Sequence, residues 1–343
     1  MTATSLARQS TLEVTYESTN ITESLRPYLK SWSFTDNLSD YSDELQLTLA
    51  DKTQLWIDDW FPDKGAKVDA NIKQSNWWNE NVDEELPLGE FEIDEIDVSY
   101  PPSEVTIKAL TVPQSCALKG ENKNRSWEKT KLSVIANDIA SDAGLTLYYD
   151  VSDDPEYDNM EQIEQSDLSL LMKLCKDAGL AIKVSDGKLV IFDEAAYEQA
   201  DAVMTIDRET YQIKKYQGRS TLNDTYNACR IKYRSPKGKK NYDYTFTPSD
   251  PPDTERVLVL REQFDDLSEA ERKAKKALRE KNSQAWQFSI TILADLAIFA
   301  SMVVILKNFG KFDGNWLVIK ATHSQSSSGH EVSMELRRCL VGY

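Results

Sequence analysis

The chain has 343 residues, 57 acidic against 40 basic side chains for a formal charge of −17, and 40% hydrophobic residues with eight tryptophans. That length allows two or three domains, and the apolar fraction excludes a disordered chain. So acidic a surface repels phosphates at long range, which excludes general nucleic-acid binding and leaves no expectation of a sequence-specific one. The four cysteines, Cys116, Cys175, Cys229 and Cys339, lie far apart without a CxxC pair, which argues against a zinc site or a disulfide framework. The start, MTATSLARQSTLEV, has no apolar core of a secretory signal.

The first hundred residues read as antiparallel strands. TLEVTYES places Leu12, Val14 and Tyr16 on one face, ELQLTLAD places Leu45, Leu47 and Leu49, and VTIKALTV places Val105, Ile107 and Ala109. Period two with polar partners means half-buried sheet, and YPPS and FPDKG supply turns. Near residue 115 the pattern changes. TKLSVIANDIASDAG puts Leu132, Ile135, Ala136, Ile139 and Ala143 at helical spacing with Gly144 as the stop. The strand LTLYYD follows. SDLSLLMKLCKDAG then offers Ser166 as N-cap, a stripe of Leu168, Leu171, Met172, Cys175 and Ala178, and Gly179 as the stop. AIKVSDGKLVIF reads as a hairpin turning at Asp186-Gly187.

From about residue 200 strands return. YNACRIKYRSPKGKKNYDYTFT reads as a long hairpin with a basic tip. One helix interrupts, with Ser268 and Glu271 as a capping box ahead of RKAKKALREK. FSITILADLAIFASMVVIL, residues 288–306, approaches the ~20 residues of a membrane span. Asp295 near its middle would cost about 2.5–3.5 kcal/mol on insertion scales. Strand, buried turn, strand is therefore the expectation, with no membrane insertion. Together these elements predict an α+β, mainly β chain divided at 1–114, 115–199 and 200–343.

Both histidines fall in GKFDGNWLVIKATHSQSSSGHEVSMELRR, residues 310–338. Leu317, Ile319, Ala321 and His323 share one strand face, and His330, Val332, Met334 and Leu336 share another. The six residues between the histidines, 324–329, are turn formers, which makes the segment a hairpin with a histidine at each end of its loop. A zinc site needs three or four ligands, and no third histidine exists. A Ser–His–Asp arrangement stays open on sequence alone, although no GxSxG elbow accompanies it. Structural histidines are expected, with no catalytic, cofactor-binding or metal residues. Asp58-Asp59 and Asp153-Asp154 read as solvated carboxylates.

Four blocks in order resemble the phage late control gene D protein family, the baseplate hub proteins of contractile tails. The C-terminal block carries Gly310, Phe312, Asp313, Gly314, Trp316, Ile319, Thr322, His323, Gly329 and Leu336. The N-terminal block carries Asp36-Asn37, Asp43, Leu45, Leu49, Asp51, Trp56, Trp60 and the turn Phe61-Pro62…Lys64-Gly65. Gly89, Phe91, Asp94, Pro101 and Pro102 form the next, and SDLSLLMKLCKDAGLAIKVSDGKLVIFD resembles the middle domain. The chain departs from the family pattern at Ala294, Leu296 and Ser301, where Gly or Pro is common, and at His330, where Tyr is usual.

The resemblance implies two tube-like antiparallel β-barrel modules, an N-terminal and a C-terminal one, flanking a small α+β domain. It implies a structural, non-enzymatic homotrimer whose six barrels meet a sixfold tail tube on one side and a threefold central spike on the other. The expected partners are the spike, the tail tube, the tape measure and other baseplate proteins. The expected location is a virion or phage-tail-like particle, such as a contractile injection system, assembled in the bacterial cytoplasm. Acidic residues facing a lumen would repel passing phosphates within about 8–10 Å. The rival expectation is a tail-associated protein that binds or degrades peptidoglycan, since KLSVIANDIASDAGLTLYYD resembles a LysM module. It lacks the leading Gly-Asp turn, and no segment is left over for a hydrolase.

Overall fold

A computed structural model of the chain describes all residues except 1–5, 40–41, 112–116, 186, 235–240, 263 and 265–266. The chain divides into two compact units. The first comprises Met1–Asp193, Ile292–Ala300 and Lys320–Ser333, and the second comprises Glu194–Thr291, Ser301–Ile319 and Met334–Tyr343.

The first unit opens with β1 (Gln9–Tyr16), β2 (Thr19–Asn20), the single turn α1 (Thr22–Leu25), β3 (Leu29–Asn37), β4 (Glu44–Ala50), β5 (Lys67–Ser75), β6 (Asp83–Ser99) and β7 (Glu104–Leu110). They pair antiparallel in the order β2-β1-β5-β6-β7-β4-β3, and β3 continues onto residues 320–325 of the strand Gly314–Ser326, which is β20. The alternation seen in the sequence sets the register, because a one-residue slip would turn each apolar set outward. Leu12, Val14, Leu45, Leu47, Leu49, Val105, Ile107 and Ala109 accordingly share one buried core with Trp32, Phe34 and Phe91. Between β5 and β6, Ala70 faces Gly89 while Asn71 faces Pro87, so Leu88 is an extra residue. Gly89 at φ 85 supplies the left-handed backbone that this bulge requires.

The same unit holds α2 (Ala117–Gly120), β8 (Lys123–Lys131), α3 (Leu132–Asp142), β9 (Thr146–Asp150), β10 (Glu156–Gln165), α4 (Asp167–Ala178), β11 (Ala181–Ser185) and β12 (Lys188–Phe192). Strand β12 lies between β11, antiparallel, and β9, parallel, while β8 and β10 form a separate two-stranded ribbon. The two helices share a core with this small sheet, through Leu132, Ile135, Ile139, Leu171, Leu174, Ile182 and Ile191. Ser166 caps α4 by accepting the Ser169 N–H at 3.3 Å, and Gly179 closes it in the left-handed region. The buried stripe of α4 is not the expected one. Asp167, Leu170, Leu171, Leu174 and Cys175 face inward, whereas Leu168 and Met172 are only partly covered. Of the Asp186-Gly187 turn, Asp186 lies outside the described residues; the strands either side pair up to Ser185 and Lys188.

The second unit contains α5 (Glu194–Tyr197), β13 (Met204–Asp207), β14 (Ile213–Ser220), β15 (Ala228–Arg234), β16 (Asn241–Phe246), β17 (Val257–Leu260), α6 (Leu267–Asn282), most of β18 (Trp286–Leu293), β19 (Val303–Lys307) and the second half of β21 (Gly329–Arg338), whose residues 329–333 belong to the first unit. Within it β14 pairs with β18 and β18 with β21, while β13 runs parallel to β19 and β19 antiparallel to β20. Strand β15 sits between β16 and β17, and α6 packs on this three-stranded sheet through Ala270, Ala274 and Leu278. The basic tip of the β15–β16 hairpin, 235–240, lies outside the described residues. Helix α6 begins at Leu267, so Ser268 lies inside its first turn and is not the cap expected from the sequence. The apolar run 288–306 is strand, turn, strand, and no helix among the described residues is long and apolar enough to cross a membrane.

The mainly β, α+β class holds. The implied barrels are not closed by backbone pairing among the described residues. In the first unit the two ends of the sheet are instead bridged by side chains.

Candidate functional site

The bridge centres on the histidine hairpin. Strand β20 stays paired to β3 as far as Gln325 opposite Trp32, and β21 begins at Gly329. The turn is therefore Ser327-Ser328 and not the six residues expected, because polar Ser324 and Gln325 continue the strand. Both histidines lie inside the strands and are buried. His330 Nδ1 accepts from the Ser10 hydroxyl at 2.8 Å and from the Gln74 amide at 3.1 Å, while the Gln325 amide donates to the Ser10 carbonyl at 3.1 Å. The Trp77 indole N–H donates to the Ala294 carbonyl at 2.6 Å, and the Ala294 N–H reaches the His330 carbonyl. Ser10, Gln74 and Trp77 belong to the β1–β5 end of the sheet, and Gln325 and His330 to the β20–β21 end. Five side chains thus do at this seam what a ladder does elsewhere. The rings of Trp32 and Trp77 pack against His330 with centroids at 5.0 and 5.7 Å. His323 lies 5.8 Å from His330, and its Nε2 donates to the Ile298 carbonyl at 2.8 Å. A carbonyl can only accept, so Nε2 carries the proton. Burial lowers the His323 pKa.

A serine–histidine contact invites comparison with hydrolases. Here the serine meets Nδ1, the same nitrogen takes the Gln74 amide, and the imidazole is enclosed by indoles. A working nucleophile and base need substrate access and a base oriented by its other nitrogen. The arrangement orders a core. Among the described residues no three His, Cys, Asp or Glu side chains converge on a point where a metal could sit.

Three charged clusters, none apparent in the sequence, are also buried. Lys183 on β11 pairs with Asp36 of β3 and, at 3.0 Å, with Asp43. Asp36 also accepts the Ala300 N–H at 2.8 Å, and Asp43 accepts the Asn37 N–H at 2.9 Å. Burial pushes the Asp43 carboxyl up to about 6 against the pull of Lys183. Burial works to lower the Lys183 amine, yet the charges of Asp36 and Asp43 carry it upward overall. This cluster ties the α+β sheet to the N-terminal strands within the first unit. Asp167, at the start of α4, is held by Arg125, by Lys123 at 2.7 Å and by the Gln162 amide at 2.9 Å. Burial works to raise its pKa, and these donors bring the net direction down. In the second unit Glu198 is buried against Arg337 and Arg279, the latter at 2.8 Å, and accepts the Leu340 N–H at 3.0 Å. Arg337 also reaches Glu194 at 2.6 Å.

The blocks quoted from the sequence have local roles. Asp51 accepts the Trp56 N–H at 3.2 Å, and Trp56, Trp60 and Tyr28 meet edge to face at 5.6–5.9 Å. Asp313 accepts the Phe309 N–H at 2.6 Å, the Trp316 indole donates to the Phe312 carbonyl at 2.8 Å, and Gly314 takes φ 126. These are turn and corner fixings. An open groove beside β8 and α3 is lined by Arg125, Ser126, Trp127, Asp138, Ser141 and Asp142. Arg125 pairs with Asp142 at 2.7 Å and covers the Trp127 ring at 5.2 Å, and the indole donates to Asp138 at 3.1 Å, so its principal polar groups bind one another.

The model of a family described as YQBQ-like matches residues 180–337. No curated protein sequence matches. The fold is that of phage tail proteins. A 43 kDa tail protein of prophage MuSo2 from Shewanella oneidensis superposes with a TM-score of 0.72 at 13% identity, over 96% of this chain and 99% of that one. A tail protein from Neisseria meningitidis MC58 gives 0.71 at 11% identity, covering 96% of each chain. An E. coli type VI secretion system component, described as structurally similar to the T4 tail proteins gp27 and gp5, gives 0.58 at 11% identity over 98% of this chain and 79% of that one.

Proposed function

We propose that this chain is a structural component of a tail baseplate: a homotrimeric hub that joins a sixfold tail tube to a threefold central spike, without catalytic turnover. The observation that carries the reading is the end-to-end correspondence with a prophage tail protein, over 96% of this chain and 99% of the other. The buried polar groups support it. They bridge sheet ends and link subdomains, which is the work of a rigid adaptor. A division at 1–114, 115–199 and 200–343 is part of the reading; among the described residues, distinct hydrophobic cores in the N-terminal strands (joined by Leu296), in 118–191 and in 229–278 support it. On this reading the chain contacts the spike, the tube, the tape measure and other baseplate proteins in a virion or tail-like particle assembled in the bacterial cytoplasm. Its acidic side chains line a lumen, and it neither inserts in membranes nor reads a nucleic-acid sequence.

Electron microscopy of the chain co-expressed with its neighbouring tail proteins tests the reading. Threefold rings attached to a spike are expected. Binding to purified peptidoglycan, with no association with tail proteins, would favour the cell-wall rival.

A further inference from the structure

Strand β14 has an unusual outer edge. Among the described residues it pairs only with β18 and ends its sheet. Seven of its eight residues, Lys214–Ser220, are exposed. The strand is nevertheless firmly seated. Tyr216 stacks on Phe288 at 5.7 Å and meets Phe309 edge to face at 5.3 Å. Gly218 lies so close over Phe312 that a Cβ there would come within 2.7 Å of the ring. Tyr216 and Gly218 therefore face the aromatic layer. By the alternation of a strand, Lys215, Gln217 and Arg219 project from the opposite face. In a chain of net charge −17, this strand, IKKYQGRS, carries three basic residues and no acidic one.

An exposed lysine-bearing edge is a recognised defence against indiscriminate strand pairing. The defence is selective, because like charge is refused and opposite charge is welcomed. The chain carries a matching edge. Strand β10 belongs to a ribbon of only two strands, so its outer edge is also open among the described residues. Its sequence, EYDNMEQIEQ, carries four acidic residues and no basic one. Its first part, Glu156 to Gln162, is in regular register with β8, and the irregularity begins only after Gln162. That leaves an edge with Glu156 and Asp158 on one face of the strand and Glu161 on the other, Glu156 being also paired to Lys131 of β8 at 3.2 Å.

We propose that β14 of one copy pairs edge to edge with β10 of a second copy of this chain, basic strand against acidic strand. Two different edges then meet at each contact, which is the head-to-tail arrangement that closes into a ring. Backbone hydrogen bonds supply the contact and the charge pattern supplies the choice of partner. The inference rests on the homotrimer of the proposed function and names its contact.

The experiment measures mass by native mass spectrometry, and amide exchange by peptide, on the full chain. Lys215→Glu with Arg219→Glu is the first variant, and Glu156→Lys, Asp158→Lys with Glu161→Lys is the second. A chain carrying all five changes is the third. Each single set is expected to weaken trimerisation at least tenfold, and the combined chain to recover it to within about threefold. Amides of 213–220 are expected to exchange more slowly in the wild-type trimer than in the monomer. A trimer unaffected by either set, or no recovery in the combined chain, overturns the proposed pairing while leaving the homotrimer standing. A chain that stays monomeric at every concentration, with and without the spike, overturns both. Circular dichroism of each variant separates lost assembly from lost folding.

Discussion

Lys183→Met removes the ammonium from between two buried carboxylates while keeping most of the side-chain volume. Asp43 is 2% exposed and Lys183 15%, so water cannot replace the lost partner. Removing one member of a buried pair costs about 3–5 kcal/mol. For a unit of this size that is about 6–20 °C in melting temperature, at about 2–4 °C per kcal/mol. The cost also has a direction in pH. Burial already raises the Asp43 carboxyl from 3.8 to about 6. A raised carboxyl contributes stability below its unfolded value and loses that contribution as pH rises through the folded one. Without Lys183 the folded value rises further, so at pH 5 Asp43 can take a proton and the penalty shrinks. Denaturation of wild type and variant at pH 5 and pH 7.5 is the assay. The expected outcome is a destabilisation that is larger at pH 7.5. An equal loss at both values, or one below about 1 kcal/mol, the size of an exposed pair, would refute the reasoning.

His323→Gln keeps a donor toward the Ile298 carbonyl and removes the ring whose pKa burial lowers. A lowered histidine loses stability as pH falls below its unfolded value near 6.5, so the variant should melt with a flatter pH dependence than wild type between pH 7 and 5. Gly218→Ala forces a methyl to within 2.7 Å of Phe312 and should cost about 1–3 kcal/mol by overpacking; Phe312→Leu in the same chain should recover part of it. Arg337→Met leaves buried Glu198 with Arg279 and the Leu340 N–H but without its second guanidinium, and should cost about 3–5 kcal/mol, read from chemical denaturation. Metal analysis of the purified chain should find no stoichiometric transition metal, and a bound zinc lost in His323→Ala would contradict the structural role of the hairpin.

Much of the fold is legible because apolar side chains repeat. The alternation in β1, β4 and β7, and the caps at Ser166 and Gly179, translate directly into structure. The misses share a cause. Helix α4 turns a different stripe inward because Asp167 is part of it: positions 167, 170, 171, 174 and 175 form one face once a carboxylate counts as a buried residue. The ribbon strands β8 and β10, KNRSWEKTK and EYDNMEQIEQ, are too polar to show a period. The hairpin turn is shorter than expected because Ser324 and Gln325 have strand partners, which composition does not reveal. At the seam the histidines are visible in the sequence, but their partners Ser10 and Gln74 lie 320 and 256 residues away in the chain. Asp36 and Asp43 stand out through family resemblance, whereas Lys183 sits in an ordinary-looking AIKV strand. Long-range polar pairing has no periodic signature, so the clusters that hold the subdomains together emerge only in three dimensions.

A threefold structural adaptor, as proposed, must form a trimer. The most direct measurement is the mass of the purified chain by light scattering, alone and with the central spike protein, at low and high salt. Like charges meet when a ring of such acidic chains closes, so the spike should favour assembly by offsetting that cost. A mass three times that of the chain, reached alone or on the spike, is the predicted result. A stable dimer under all conditions is incompatible with a threefold hub and would contradict the claim.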